Sequence, residues 1–240
     1  MTQNPDKPYV PITLKGAVLH LYPDGTLYWP DERLLIVSDL HLEKAAAQSK
    51  AGPLPVYDTP QTLADLEGAL ARAPVETCIL LGDSFHNEEV ALRLPQEARH
   101  FFERLASDRR LVWILGNHDP SLPGFLPGRA AQSISLGPLS FCHIATMSDL
   151  PTGTAEISGH YHPKARLKLR ARQLSGKCFI QDDQRLILPA FGRFTGGLNI
   201  LDPAISTLFA GQKLVHFCHG TKIVSLPYDK RRLSYPQKGI

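Results

Sequence analysis

Cys78-Ile79-Leu80-Leu81-Gly82-Asp83-Ser84-Phe85-His86 is an apolar run that breaks at once into a polar cluster. Two other stretches repeat the pattern: Leu34-Leu35-Ile36-Val37 leads to Asp39-Leu40-His41, and Leu111-Val112-Trp113-Ile114-Leu115 leads to Gly116-Asn117-His118-Asp119. Short, wholly apolar runs of this kind read as buried strands. Between them lie helical signals. Thr59-Pro60 is the pattern of an N-cap followed by proline at the first helical position, with Leu63, Leu66 and Leu70 on one face. Pro95 opens a second helix that turns Ala98, Phe101, Phe102 and Leu105 inward. Strand alternating with helix predicts a parallel sheet. In such a sheet, sites form outside the carboxyl ends of the strands, so these polar clusters are expected to converge.

Upstream, Val18 to Tyr22 and Thr26 to Trp29 flank Pro23-Asp24-Gly25, which predicts a hairpin. The second half changes character. Leu139 to Cys142, Ala155 to Ser158, Ala165 to Ala171, Cys178 to Gln181, Arg185 to Leu188, Leu198 to Leu201, Ile205 to Phe209 and Leu214 to Phe217 all read as short strands. They predict a second, more antiparallel sheet packed on the first, and hence an α/β fold. At 240 residues the chain can bury one sizeable core, and no linker or repeat divides it. A single domain over 1–240 is expected, with 227–240 a polar, basic, mobile tail.

The composition excludes several classes. No apolar run approaches the length of a membrane-spanning helix. Met1 to Pro11 is polar and proline-rich, without the apolar core of a secretory signal. Cys78, Cys142, Cys178 and Cys218 form no C-x-x-C pair and fit buried strand positions in a reducing, cytoplasmic setting. A net charge of +3 permits a nucleic-acid partner without demanding one.

The clusters carry the chemistry. Asp39-Leu40-His41 places two donors at i and i+2, although alone it also suits a polar strand end or helix cap. Gly82 lets the chain turn sharply, and Asp83 has two oxygens with which to bridge two cations. Gly116-Asn117-His118-Asp119 is the most specific cluster. Asn117 offers a neutral carbonyl oxygen, His118 an imidazole suited to donating a proton, and Asp119 a carboxylate that could accept from His118 and fix its tautomer. Gly159-His160-Tyr161-His162 adds two imidazoles at i and i+2. Hard oxygens mixed with imidazoles and no thiolate are the donors of a two-metal site. His20, His100, His216 and His219 lie outside these motifs and read as structural or surface residues.

Taken together, the motifs resemble the calcineurin-like metallophosphoesterases. The resemblance is nearest to the bacterial ligase-associated DNA-damage-response endonucleases, on Ser38-Asp39-Leu40-His41-Leu42-Glu43-Lys44, Leu81 to His86, and Pro189-Ala190-Phe191-Gly192-Arg193-Phe194-Thr195-Gly196-Gly197-Leu198. It implies a four-layer αββα sandwich of two mixed sheets flanked by helices. It also implies two divalent ions, Mn²⁺ foremost and Zn²⁺ or iron as alternatives. Asp39, His41, Asp83 and His162 would hold one ion; Asp83, Asn117, His143 and His160 would hold the other. His118 would face the substrate phosphate, and His86 would be a neighbouring or substrate-facing imidazole. The implied reaction is phosphodiester hydrolysis, with hydroxide held between the ions attacking phosphorus in line. The implied partners are DNA and a repair system with an ATP-dependent ligase, a helicase and an exonuclease.

Lys164-Ala165-Arg166-Leu167-Lys168-Leu169-Arg170-Ala171-Arg172 alternates strictly, so a strand here has one basic and one apolar face. Lys164, Arg166, Lys168 and Arg170 could guide a phosphate backbone to the ions, or simply solvate an edge strand. An enzyme for small phosphodiesters or nucleotide pyrophosphates has the same metal motifs, and a metal-free binding scaffold is a third reading. The loop Phe191 to Gly197 is glycine-rich without the spacing of a phosphate-binding P-loop, and the sequence suggests no mechanism for it.

Overall fold

The computed structural model describes residues 8–43, 58–168, 173–193, 195–231 and 233–234. The first sheet contains β1 (Val10–Leu14), β2 (Ala17–Leu21), β3 (Leu27–Trp29), β4 (Leu34–Val37), β5 (Thr77–Leu81), β6 (Arg110–Ile114) and β7 (Arg129–Ala131), side by side in chain order. β1 to β4 form an antiparallel meander, and β4 to β7 are parallel. Helices α1 (Asp58–Ala71), α2 (Glu88–Leu92) and α3 (Gln96–Asp108) belong to the parallel half. The expected helix faces are the buried ones: Leu63, Leu66 and Leu70 on α1, and Ala98, Phe101, Phe102 and Leu105 on α3. Thr59, read as an N-cap, lies inside α1 instead, and its hydroxyl accepts the Glu43 N–H at 2.8 Å.

The second sheet is ordered β15 (Lys222–Pro227), β14 (Leu214–His219), β12 (Gln173–Gln181), β13 (Arg185–Ile187), β10 (Ala155–Ser158), β9 (Leu139–Cys142), β8 (Ser133–Leu136). β11 (Lys164–Lys168) pairs with the first half of β12 as a ribbon. The pairs β9–β10 and β10–β13 are parallel; the others are antiparallel.

Alternation along the strands sorts the apolar residues into layers. Leu35, Val37, Cys78 and Leu80 face the helices, whereas Leu34, Ile36, Ile79 and Leu81 meet Phe141, Ile157 and Phe179 of the second sheet. The far side of that sheet is covered thinly. Ile200, Ile205, Leu208 and Phe209 pack on Ile180, Ile187, Val215 and Phe217. Two segments expected as strands take other forms on this side. Ile205 to Phe209 is not a strand but follows from the one-turn helix α4 (Pro203–Ser206), and Leu198 to Leu201 forms only an isolated bridge through Asn199. Asp202 caps Ala204 N–H at 2.9 Å with Pro203 next, a start signal that outweighs local apolarity. Described residues beyond Pro227 also lie on the fold. Leu233 is buried against Leu167, and Ser234 N–H donates to the Arg166 carbonyl at 3.0 Å. No helix among the described residues is long and apolar enough to cross a membrane, and the four cysteines are free.

His216, read as structural, is buried on β14 between Ser225 Oγ at 2.8 Å and Gln181 Oε1 at 3.2 Å. Burial pushes its imidazole down to about 4. The unfolded chain therefore takes up a proton near its ordinary value of about 6.5, while the folded chain refuses it until about 4. The resulting stability is complete above the unfolded value and is lost as pH falls through this window. About 3 kcal/mol should disappear between about pH 7 and about pH 4 in urea titrations, and His216→Gln should remove that part of the slope.

Candidate metal centre

The parallel parts of both sheets end at the same edge of the sandwich. β4, β5 and β6 deliver Asp39 with His41, Asp83, and Asn117 with His118; β9 and β10 deliver His143, and His160 with His162. Past their ends, β4 and β5 continue side by side. Asp39 N–H donates to Gly82 O at 3.1 Å, His41 N–H to Asp83 O at 3.0 Å, and Leu42 N–H to Ser84 O at 2.9 Å.

This continuation is not the regular strand expected from the i, i+2 spacing. Asp39, His41, Asp83, His160 and His162 all have positive φ, between 45° and 68°. Each such non-glycine residue costs roughly 1–2 kcal/mol. Strain gathered on the candidate ligands marks a site built for purpose rather than stability. Gly82, with φ of 80°, is needed twice over, because a Cβ there would lie 2.2 Å from His143 Nδ1.

Two groups of donors form. Asp39, His41 and His162 make one, and Asp83, His143 and His160 the other, each with ligand atoms within 4.8 Å of one another. Asp83 joins them: its Oδ1 is 3.3 Å from His143 Nε2, and its Oδ2 is 3.9 Å from His41 Nε2. In the first group, His162 Nε2 lies 3.2 Å from His41 Nε2 and 3.1 Å from Asp39 Oδ1. Donors held about 2.0–2.2 Å from one ion are separated by about these distances.

The second group has a stronger need for a cation. His143 Nδ1 is 3.0 Å from the Leu81 carbonyl and must donate to it. In neutral His143 this leaves Nε2 as a bare lone pair, which faces Asp83 Oδ1 and, at 3.2 Å, Asn117 Oδ1. Three acceptors converge there without a proton among them, an arrangement that a divalent ion satisfies. His160 Nδ1 is likewise buried with no hydrogen-bond partner among the described residues. The donors thus fit the metal pair that the sequence implies.

The electrostatics agree. Burial alone would raise the Asp39 carboxyl, but His162, His143 and the Ser38 hydroxyl outweigh it and hold it below the usual carboxylate value. At Asp83 burial is again overcome, by His143 and by the His118 N–H, and the carboxyl is held down at about 2. His143 is raised against its own burial by Asp83 and Asp39, whereas burial and neighbouring His143 lower His160.

His118 stands on the open side. Its side chain is 42% exposed, against 4% for His41, and Nε2 is 3.9 Å from Asp83 Oδ2. Its Nδ1 lies 2.8 Å from the His86 carbonyl and therefore carries a proton. The His86 ring stacks near it, with centroids 5.8 Å apart.

Asp119 does not orient His118, as the sequence suggested. It is buried and accepts from Asp83 N at 3.1 Å, Ser84 N at 2.6 Å, Phe85 N at 3.2 Å and Gly116 N at 2.9 Å. It is a strut between the loops after β5 and β6. Burial and the Asp83 charge push its carboxyl up to about 6, against the pull of those N–H groups. Asp119→Ala would strand several buried donors at roughly 1–3 kcal/mol each. A loss of about 3 kcal/mol or more is expected in urea denaturation. Lost activity with unchanged stability would instead restore an orienting role.

Two contributions come from motifs whose role was not legible in the sequence. The Ser38 hydroxyl donates to the Asp39 carboxylate, with the Leu81 carbonyl 3.2 Å from the same oxygen, and so fixes the carboxylate's rotamer. The loop after Ala190 acquires a mechanism. Phe191 and Gly192 donate to the carbonyls of Ser38 and Asp39 at 2.8 and 3.1 Å, and Leu198 N–H reaches Tyr161 O at 3.2 Å. The loop thereby braces both ligand-bearing turns. A Cβ on Gly192 would stand 2.1 Å from the Leu40 carbonyl oxygen, so only glycine permits this approach.

The basic alternation also has a physical form. Ala165 and Leu167 of β11 are buried, Lys164 and Arg166 are half-buried, and Lys168 is exposed. Arg170 and Arg172 lie outside the described residues. His20 stacks on Tyr9, His100 and His219 are exposed, and none of the three belongs to a donor group.

Among curated proteins none matches this chain. A solved structure, the nuclease MPE of Pseudomonas putida, is similar at 31% identity and a TM-score of 0.70, covering 91% of this chain and 100% of its own. The sequence profile of the calcineurin-like phosphoesterases matches residues 32–185, which takes in β4 through β12 and every candidate ligand. A match over more than half of the chain, containing all the strands that carry the donors, makes this chain a member of the calcineurin-like phosphoesterase family and a metal-dependent phosphoesterase.

Proposed function

We propose that the protein is a dinuclear phosphodiesterase that cuts DNA internally. The observation that carries the reading is the shared carboxylate. Asp83 turns one oxygen to each donor group, and His118 stands beside it on the open side. Asp39, His41, His162 and Asp83 would hold one ion, and Asp83, Asn117, His143 and His160 the other. Oxygen and nitrogen donors without sulfur suit Mn²⁺. When bound, such a pair supplies Lewis acidity and activates water at neutral pH.

The chain's own residues supply the rest. With Nδ1 committed to the His86 carbonyl, a protonated His118 presents its second proton on Nε2, where it can pass to the departing oxygen. The His86 ring extends this imidazole wall along the substrate side. Asp119 acts indirectly, by holding the loops of Asp83 and Asn117 in register.

DNA as substrate is supported by the similarity to a bacterial nuclease over 91% of this chain and by the basic face of β11. A place in a cytoplasmic repair system with a ligase, a helicase and an exonuclease is supported by the motif resemblance alone. The test is an assay with Mn²⁺ on single-stranded, duplex and gapped DNA, beside a nitrophenyl phosphodiester. Metal-dependent internal cleavage of DNA is expected. Hydrolysis of the small diester with every DNA left intact would overturn the nuclease reading in favour of a small phosphodiester.

A further inference from the structure

A cleft of about 830 Å³ opens beside His162, between the β11–β12 ribbon, α1 and the loop after Ala190. Among the described residues, four cationic side chains line it: Arg72, Lys164, Lys177 and Arg193. They are not equivalent. Arg72 is paired with Asp24 at 2.6 Å and also bonds the Thr26 hydroxyl; Arg193 is paired with Asp65 through two bonds of 2.8 and 3.1 Å. Among the described residues, Lys164 and Lys177 have only backbone partners, the Thr195 carbonyl at 3.1 Å and the Asp24 carbonyl at 2.6 Å. Among the described residues, no carboxylate lies within ion-pair distance of either ammonium. The surplus charge of the cleft is therefore on these two lysines.

Their placement is costly. Lys164 and Lys177 are direct cross-strand partners in the antiparallel ribbon, and like charges so placed repel. Burial lowers the Lys177 ammonium below the ordinary lysine value, because much of its water is gone. An anion seated between the lysines would relieve both penalties. The distance from the centre is short: Lys164 is two residues beyond His162, a reach of at most about 7 Å along the chain.

We propose that this cleft binds a phosphate adjacent to the one being cleaved, with Lys164 and Lys177 as its direct ligands. The inference rests on the phosphodiesterase reading and narrows its substrate to strands bearing at least two neighbouring phosphates. Lys177 lies in an ordinary-looking stretch of β12 and becomes part of the site only through its register opposite Lys164.

The experiment compares dithymidine monophosphate with the same molecule carrying one extra terminal phosphate, on either the 5′ or the 3′ end, under Mn²⁺. The wild-type enzyme should favour one of the phosphorylated forms in kcat/KM by about 10-fold or more, the effect of a hydrogen bond to a charged group. In Lys177→Gln that preference should fall towards unity. Ser175→Glu should lower it as well: Ser175 is an exposed cleft residue on the same face of β12, where a carboxylate neutralises the lysines without disturbing the core. A wild-type preference that survives Ser175→Glu overturns the proposal even if Lys177→Gln fails to fold. Cleavage of plain dithymidine monophosphate with no preference for either phosphorylated form also overturns it, and leaves the phosphodiesterase reading intact. DNA cleavage with no dinucleotide cut overturns the proposal alone, and no cleavage of DNA, dinucleotide or nitrophenyl diester overturns both.

Discussion

Asp83→Ala should lower phosphodiester turnover by at least about 10³-fold, or about 4 kcal/mol in the barrier, and should cost the protein bound Mn²⁺ in elemental analysis. The size follows from the number of tasks on one side chain. Asp83 is buried, with its carboxyl held down at about 2, so it is fully ionised wherever the enzyme would work. Its Oδ1 faces His143 and accepts the His118 N–H at 2.9 Å; its Oδ2 faces His41. Alanine removes the shared donor of both groups and leaves the His118 backbone without its acceptor. Asparagine keeps the shape but has one oxygen for two groups, so Asp83→Asn should retain less metal than the wild type and more than alanine. Undiminished turnover in Asp83→Ala, or full activity in chelated protein, would end the two-ion reading.

His118→Gln should separate chemistry from metal binding. His118 belongs to neither donor group, and its 42% exposed side chain is directed to the open side. Turnover of DNA should fall roughly 10²- to 10⁴-fold, the usual contribution of a positioned acid, while the metal content stays at the wild-type level. A nitrophenyl diester, whose leaving group departs without help, should suffer much less. Metal loss equal to that of Asn117→Ala would show that His118 is a ligand and would refute its role as acid.

These two expectations draw on the part of the molecule that local sequence reveals best. Asp39, Asp83 and Asn117 follow short apolar runs that alternate with helical signals and so read as buried strands, and strand ends in a parallel sheet converge by geometry. Their meeting in space was therefore readable residue by residue, as was the meeting of His143, His160 and His162 with them once the family resemblance was drawn. The buried faces of α1 and α3 were readable too, because a period of 3.6 leaves little choice.

Side-chain direction was not readable. Asp119 follows His118 immediately, yet its carboxylate turns to the backbone of residues 83 to 85, whose position depends on how β5 and β6 pair. The partner of His118 is a carbonyl, which every residue carries, so no sequence pattern marks it. Ile205 to Phe209 looked like a strand because apolarity alone does not distinguish a buried strand from a capped turn. Gly192 had no local reason to be glycine until Leu40 was found against it. Lys177 shows the same limit. Its own neighbours make it an unremarkable strand residue, and only the register of the ribbon sets its charge opposite Lys164, beside the centre. Strand periodicity and polar clusters are local properties of the chain, and the sequence alone determined the strands β4, β5 and β6, the buried faces of α1 and α3, and the candidate donors that follow those strands. Register, side-chain direction and close backbone approach are relations between distant segments, and only the tertiary structure decided them.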